Sequence, residues 1–186
     1  MILTISGLHG TGKSTIGKLI AANLRIKYYS TGQIFRDLAK EMNMTLNEFT
    51  EYAEKNPEID RKLDRKILEI AKEGNIIIDS QLSGYILKSI ADFKIYLRCS
   101  LEIRVRRMRE RDNVSYEAKL KETVLREKSE LERFNTLYGI DLNDNERVKE
   151  IYNLILDTDT MTIQEIVNEI LSNLKKLKFP NKIQKT

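Results

Sequence analysis

The sequence predicts an α/β fold in which a five-stranded parallel sheet is flanked by helices. Short apolar runs alternate with segments whose apolar residues recur at helical spacing, the pattern of strands joined by crossover helices. A glycine-rich loop follows the first strand and precedes a helix. Polar residues also follow the third and fifth strands, at the end of a doubly wound sheet where ligands bind.

The strands are predicted from short apolar segments. The third contains three consecutive isoleucines and ends on Asp79, as expected for a buried central strand. The fifth ends on Asp157. The predicted strands are residues 2–6, 26–29, 75–79, 94–97 and 154–157.

Helix boundaries are predicted from capping residues and from the apolar period. Thr45 with Glu48, and Thr162 with Glu165, have the spacing of capping boxes at helix N-termini. The other predicted helices lie between Lys13 and Leu24, Gly32 and Met42, Pro57 and Gly74, Ser100 and Arg111, and Ser115 and Gly139. The last helix, which begins at Thr162, ends at about Leu177.

Composition fits one domain. The chain has 186 residues, of which 41% are hydrophobic and 32% are charged, enough for a core without disulfides. We expect a single domain over residues 1–177 and a frayed basic tail over 178–186. Cys99 is the only cysteine, and no apolar stretch approaches the ~20 residues of a membrane span. We therefore expect a cytoplasmic protein with no membrane contact.

The glycine-rich loop carries the most specific motif of the sequence. Residues 7–14 match the phosphate-binding pattern GxxxxGK(S/T) without a mismatch, and the strand and helix around them make a chance match improbable. The backbone amides and the helix N-terminus would hold the phosphates of ATP. Lys13 would reach the β- and γ-phosphates, and Ser14 would be a ligand of Mg²⁺. The predicted ATP-binding residues are Gly7, Leu8, His9, Gly10, Thr11, Gly12, Lys13, Ser14 and Thr15.

Two further residues near this loop have alternative interpretations. His9 is the only histidine. It could act as an acid or base, but we favour a solvent-facing residue whose backbone binds phosphate, because phosphoryl transfer depends more on positioning than on proton transfer. Asp79 could hold Mg²⁺ through water, it could cap the following helix, or it could do both.

Arginine is concentrated in the helix predicted over residues 101–111, which has five arginines and no lysine. This face could be merely solvated, but arginine also makes bidentate contacts with phosphate. The predicted buried stripe is Leu101, Val105 and Met108, and the arginines on another face are Arg104, Arg107 and Arg111.

The long helix repeats the pattern, because Arg126, Glu130 and Arg133 share one face. Glu130 could simply bond both arginines in a surface ladder. Alternatively, a movable lid could bring arginines to the transferring phosphoryl group. The net charge of +4 would also suit a nucleic-acid binder. The arginines, however, are not interleaved with aromatic residues, so we expect no nucleic-acid partner.

With these segments together, the chain resembles the nucleoside monophosphate kinases, most specifically the cytidylate kinase family in its short archaeal form. The resemblance runs from Met1 to about Leu177. The segments that carry it are 6–14, 30–36, 78–82, 100–111, 126–130 with Arg133, 138–141 and 156–158.

The resemblance implies transfer of a phosphoryl group from ATP to CMP or dCMP with Mg²⁺. We expect the chain to act as a monomer, or alternatively as a dimer. Residues 33–72 would form the acceptor-binding subdomain, and residues 101–138 the helices related to a lid. By position, Glu130 would accept a hydrogen bond from the cytosine amine, and Gln81 would lie against the base or the acceptor phosphate. The other implied acceptor residues are Thr31, Phe35, Arg36, Asp79 and Arg133, and the implied catalytic residues are Lys13, Arg104, Arg107 and Arg126.

The chain departs from the family pattern at a few positions. Leu8 and His9 stand where two prolines are frequent, and Asp79 and Gln81 stand where a glutamate and an arginine are common. The Asp-Gly-Phe-Pro-Arg segment of adenylate kinases is absent. The leading hypothesis is a cytidylate kinase. The alternatives are an AMP kinase or other small-acceptor kinase, and a nucleic-acid-binding P-loop ATPase.

Overall fold

Five parallel strands form the central sheet in a computed structural model that describes residues 1–177; the predicted tail over 178–186 lies outside the described residues. The strand order is β2-β3-β1-β4-β5. The strands are β1 (Ile2–Ser6), β2 (Lys27–Ser30), β3 (Ile76–Asp79), β4 (Phe93–Arg98) and β5 (Leu154–Asp157). The helices are α1 (Lys13–Leu24), α2 (Thr31–Glu41), α3 (Leu46–Lys55), α4 (Glu58–Lys72), α5 (Ser83–Ile86), α6 (Leu101–Asp112), α7 (Tyr116–Tyr138), α8 (Asn145–Ile151) and α9 (Ile163–Lys176).

The sheet confirms the predicted strands to within about one residue. Strand β1 lies between β3 and β4, and every pairing in the sheet is parallel. Residues of β3 are buried on both faces, which explains its run of isoleucines. The carboxyl ends of β1 and β3 therefore lie side by side, with Ile5 in register with Asp79.

Two apolar cores position the functional elements. The larger core joins the sheet to α1 and α9 through residues such as Ile16, Ile77 and Ile170. Helices α2, α3 and α4 share a separate core. In that core the rings of Phe35 and Phe49 meet edge to face, with their centroids 4.7 Å apart. Helices α2–α4 therefore pack on one another around a core that is separate from the larger core of the sheet.

Local capping follows the sequence closely. Both predicted capping boxes are present, at Thr45 and at Thr162. Ser115 accepts a hydrogen bond from an amide of α7, and Gly139 ends that helix in the left-handed conformation. The expected cap of α6 is wrong in detail. Ser100 occupies the N-cap position, but its side chain makes no cap hydrogen bond and its N–H donates instead to Asp159 at 2.7 Å.

The short helices α5 and α8 are absent from the sequence-based prediction because they lack a long apolar period. Asp144 begins α8, and its carboxylate accepts hydrogen bonds from the amides of Glu146 and Arg147. Within residues 1–177, no helix has the length and apolar character that crossing a membrane requires.

Candidate active site

A cavity of about 550 Å³ lies at the carboxyl ends of β1 and β3. Residues 9–15 line one side of it, at the start of α1. The acceptor-type residues Thr31, Phe35 and Arg36 line it from α2, while Asp79 and Gln81 line it from the end of β3. Helices α6 and α7 contribute Arg107, Arg126, Glu130 and Arg133. The fold thus gathers most of the predicted site residues around one space.

Three predicted residues are not among those that line this cavity: Gly7, Leu8 and Arg104. Gly7 lies against the backbone of Leu97, where an added Cβ would lie 2.3 Å from the carbonyl oxygen. The Leu8 carbonyl accepts hydrogen bonds from other residues of the loop. Gly7 and Leu8 therefore shape the loop from behind its ligand-facing side.

The loop needs glycine where it passes α6. Gly10 has φ +78°, and a Cβ there would lie 2.8 Å from the carbonyl oxygen of Arg104. Gly12 has φ +94° and precedes the first residue of α1. Both residues adopt the left-handed conformation that glycine permits. As a result, the loop turns directly into the N-terminus of α1, whose unpaired amides favour an anion.

Lys13 lies across the loop that precedes it. Its Nζ donates to the Leu8 carbonyl at 2.8 Å. Burial lowers the pKa of Lys13, and nearby Arg104 adds to that effect. The carboxylates of Asp79, Glu130 and Glu127 oppose it. Lys13 therefore lies at a loop suited to phosphate, near three carboxylates that favour its charged form.

Asp79 lies beside the start of α1. Its Oδ2 accepts from the Ser14 hydroxyl at 2.6 Å and from the Tyr28 hydroxyl at 2.7 Å. Burial and the Asp79 charge raise the pKa of Tyr28 to about 12. The alternative role of Asp79 as a helix cap is wrong, because Leu82 occupies the N-cap position of α5.

This hydroxyl and carboxylate set suits a hard cation, because Mg²⁺ prefers oxygen ligands and keeps several waters. Among residues 1–177, no group of three or more His, Cys, Asp or Glu side chains could enclose a metal ion. Ser14 and Asp79 are neighbouring oxygen donors beside the loop that could contact such an ion.

Arg36 lies on α2 near two other arginines. Its guanidinium donates to the Gln33 side chain at 3.0 Å. Partial burial and the charges of Arg111 and Arg126 lower the pKa of Arg36. Three guanidinium groups thus face a common region of the cavity, and their mutual repulsion favours an anion between them. Arg111 was predicted on the arginine face of α6 but was not assigned to the site.

Arg104 does not occupy the solvated or lid face expected from the sequence. It is 4% exposed and forms a bidentate pair with Glu127 of α7. It also donates to the carbonyl of His9 at 3.0 Å and to that of Cys99 at 3.1 Å. The contacts of Arg104 connect α6, α7 and the phosphate-binding loop from outside the cavity.

Arg107, in contrast, lines the cavity. Its guanidinium donates to the carbonyl of Thr158 at 2.7 Å and to the Thr158 hydroxyl at 3.2 Å. Thr158 follows β5 and is fully buried. Arg107 is therefore held in place by the segment after the fifth strand, where the sequence predicted polar chemistry.

His9 contacts other side chains, so the expectation that it faces solvent is wrong, while the expectation that its backbone binds phosphate stays a prediction. Its Nε2 lies 2.6 Å from Oε2 of Glu130. Gln81 donates to the same oxygen at 2.8 Å, and Arg126 donates to Oε1 of Glu130 at 2.9 Å. A carboxylate on α7 is thereby linked both to the phosphate-binding loop and to the segment after β3.

Glu130 does not form a surface ladder with two arginines, which was one of the two interpretations of this helix face. It is 4% exposed and pairs with Arg126, whereas Arg133 lies against Asp60 of α4, with Nε 2.9 Å from Oδ2. Burial alone would raise the pKa of Glu130, but His9, Arg126 and Gln81 together hold that pKa well below its usual range. Glu130 is consequently an ionised, buried carboxylate.

In addition to Arg111, three ionisable residues that line the cavity were not predicted, namely Asp60, Asp64 and Tyr138. The Tyr138 hydroxyl donates to Asp64 at 2.5 Å. Burial and the neighbouring Asp60 raise the pKa of Asp64 to about 6. A signal was available, because Asp60 and Asp64 lie at helical spacing beside the apolar stripe of α4 that includes Ile67.

The loop, the sheet order and the cavity define a P-loop NTPase fold of the small-kinase type. The chain is similar to the shikimate kinase of Acinetobacter baumannii, with 16% identity and a TM-score of 0.59 over 96% of this chain and 94% of that chain. It is also similar to a gluconokinase from Sinorhizobium meliloti, with 14% identity and a TM-score of 0.61 over 94% of this chain and 91% of that chain. At such identity these structures support the fold alone.

Sequence comparison identifies the family. The model of the cytidylate kinase-like family matches residues 2–160. The chain is 44% identical to a cytidylate kinase of Sulfurisphaera tokodaii over 89% of this chain and 91% of the relative. It is 40% identical to a cytidylate kinase of Methanocaldococcus jannaschii over 95% of this chain and 100% of the relative. The chain belongs to the cytidylate kinase-like family.

Proposed function

We propose that the chain transfers the γ-phosphoryl group of ATP to CMP or dCMP, giving ADP and CDP or dCDP. The observation that carries the proposal is that one cavity joins a phosphate-binding loop to a second group of cationic and carboxylate side chains. Such a space suits two nucleotides held with their phosphates facing each other. Family membership supports the cytidine acceptor.

The donor half of the site would be the loop and the start of α1. Backbone amides of residues 9–15 would hold the ATP phosphates at the positive end of the helix. Lys13, which donates to the Leu8 carbonyl, would exchange that partner for phosphate oxygens. The exchange would replace a neutral acceptor with a charged one, which makes a stronger hydrogen bond.

Ser14 and Asp79 would hold Mg²⁺, with Asp79 acting through water. Their oxygens lie 2.6 Å apart beside the loop, and they form a hard donor set. When bound, the ion would supply charge neutralisation for the phosphate oxygens.

The acceptor half would be built by residues 33–72, with Thr31 at its entrance. This segment has a separate apolar core, which would let it move as a unit when the acceptor binds. Thr31 Oγ1 is buried and has no hydrogen-bond partner within residues 1–177, so a sugar or phosphate oxygen of the acceptor would satisfy it. Arg36, together with Arg111 and Arg126, would receive the acceptor phosphate.

Helices of residues 101–138 would provide the lid-related arginines. Arg107 and Arg126 line the cavity and would neutralise charge that develops on the transferred phosphoryl oxygens. We assign Arg104 a positioning role, because its contacts reach the His9 carbonyl and Glu127. It would act on phosphate through the shape of the loop.

This mechanism requires no dedicated general base. Phosphoryl transfer proceeds through a loose transition state, so alignment of donor and acceptor and neutralisation of charge account for most of the catalysis. We also propose that the protein acts in the cytoplasm as a monomer.

The test is an acceptor screen by coupled detection of ADP. Purified protein with ATP and Mg²⁺ is offered CMP, dCMP, UMP, AMP and shikimate separately. We expect CMP or dCMP to give the highest kcat/KM. An AMP preference of about tenfold or more would correspond to ~1.4 kcal/mol in favour of the wrong base and would refute the cytidine assignment. ATP hydrolysis that needs no acceptor and responds to nucleic acid would favour the ATPase alternative.

A further inference from the structure

Two residues at which the chain departs from the family pattern meet on one carboxylate. His9 belongs to the phosphate-binding loop, and Gln81 follows β3. The His9 Nε2 and the Gln81 Nε2 lie 2.6 and 2.8 Å from the same Glu130 oxygen. The two departures are therefore parts of a single hydrogen-bonded cluster.

The chemistry of Glu130 determines the orientation of both partners. An ionised carboxylate only accepts hydrogen bonds, so the His9 Nε2 must carry its proton and the Gln81 side chain must turn its NH₂ toward Glu130. The two nitrogens lie 3.1 Å apart. Because both are then donors, the shared carboxylate holds them together.

Acceptor oxygens are what this cluster leaves for a ligand. With its NH₂ on Glu130, Gln81 has its Oε1 buried without a partner among residues 1–177. Among residues 1–177, Glu130 Oε1 accepts a hydrogen bond from Arg126 alone, which leaves one of its acceptor positions open there. Both side chains line the cavity. A buried acceptor without a donor is unfavourable, so the cluster favours a ligand that donates.

We propose that His9 is a positioning residue that determines specificity. It fixes Glu130, and through Glu130 it fixes the Gln81 amide, so that the acceptor base must carry an exocyclic amino group. This inference rests on the proposed function and explains how that site would distinguish cytosine from uracil. An amino group donates to the free oxygens. An oxo group at the same place would face them with lone pairs and leave them unpaired, which discriminates strongly.

His9 is suited to this role because its own position is fixed. Its carbonyl accepts from Arg104, which is in turn paired with Glu127 in the interior. The backbone of His9 is thus held by α6 while its ring holds a residue of α7. A donor-loop residue thereby supports the acceptor side of the cavity.

Two variants of His9 test the proposal. His9→Gln keeps an N–H donor at a similar reach, whereas His9→Leu keeps bulk and removes the donor. We measure kcat and KM for CMP, UMP and ATP, together with the melting temperature. For His9→Leu we expect the CMP-to-UMP ratio of kcat/KM to fall about tenfold or more, mainly through KM for CMP, as for loss of a charge-assisted hydrogen bond. His9→Gln should retain most of the ratio.

The control outcomes separate this inference from the proposed function. An unchanged ratio in a folded His9→Leu protein overturns the inference, and so does an equal rise in the KM values of ATP and CMP, which indicates general loop damage. If His9→Leu does not fold, Gln81→Leu must lower the same ratio, and an unchanged ratio there is equally contrary. Wild-type protein without CMP turnover refutes the proposed function itself.

Discussion

The buried pair of Arg104 and Glu127 gives the sharpest test of how the phosphate-binding loop is supported. Arg104→Ala would leave Glu127 as an unpaired charge in the interior, since these side chains are 5% and 10% exposed. Removing one partner of a buried pair is expected to destabilise the fold by about 3–5 kcal/mol. The variant also removes the donor to the His9 carbonyl, so KM for ATP should rise.

Arg106→Ala is the matched control, because Arg106 pairs with Glu102 on the same helix. Those side chains are 58% and 61% exposed, so the loss should be only about 0.2–1 kcal/mol. In thermal unfolding, we expect Arg104→Ala to lower the Tm by about 10 °C, at roughly 2–4 °C per kcal/mol for a domain of this size. Arg106→Ala should change it by about 4 °C or less. Equal shifts in the two variants would refute the burial argument.

Three further predictions concern catalysis, pH and the loop. Lys13→Ala should abolish turnover in the coupled assay because it removes the cation of the loop, and near-full activity would contradict the kinase assignment. The pKa of Asp64 is raised to about 6 in the folded protein. Between about pH 4 and pH 6 the folded protein therefore keeps a proton on Asp64 that the unfolded chain has lost. As a result, Asp64 lowers the stability of the wild type as the pH rises through this range. Asp64→Asn should therefore raise the Tm relative to wild type at pH 7 but not at pH 4, and equal differences at both pH values would contradict this sign. Gly10→Ala should reduce ATP binding about a hundredfold or more, because its Cβ would meet Arg104 in a loop where small displacements matter. Gly74→Ala, with φ +67° and open space, should cost only about 1 kcal/mol of stability and leave ATP binding intact, and equal loss of binding in both would contradict the steric explanation.

Local patterns in the sequence predicted the parts of the molecule that depend on neighbouring residues. The strand after Met1, the loop over residues 7–14 and the capping boxes at Thr45 and Thr162 all occur as expected. Each of these features depends on residues within a few positions of one another. Their backbone hydrogen bonds and apolar faces are therefore encoded in short windows of sequence.

The connections across the site could not be predicted in this way. His9 and Glu130 are 121 residues apart in the sequence. Arg133 pairs with Asp60 on another helix, although Glu130 is much nearer to it in the sequence. Helical spacing placed Arg104 on a different face from the apolar stripe, but spacing does not say whether that face meets solvent or another helix.

The sequence by itself determined the strands, the boundaries of the longer helices and the phosphate-binding loop, because propensity, capping and glycine geometry act locally. Only the tertiary structure decided which charges are buried and which acceptors remain open, because those depend on the order β2-β3-β1-β4-β5 and on the packing of α6 and α7 against the loop. A carboxylate such as Glu130 acquires its chemistry from the donors that the fold brings to it, which is a property of long-range contacts.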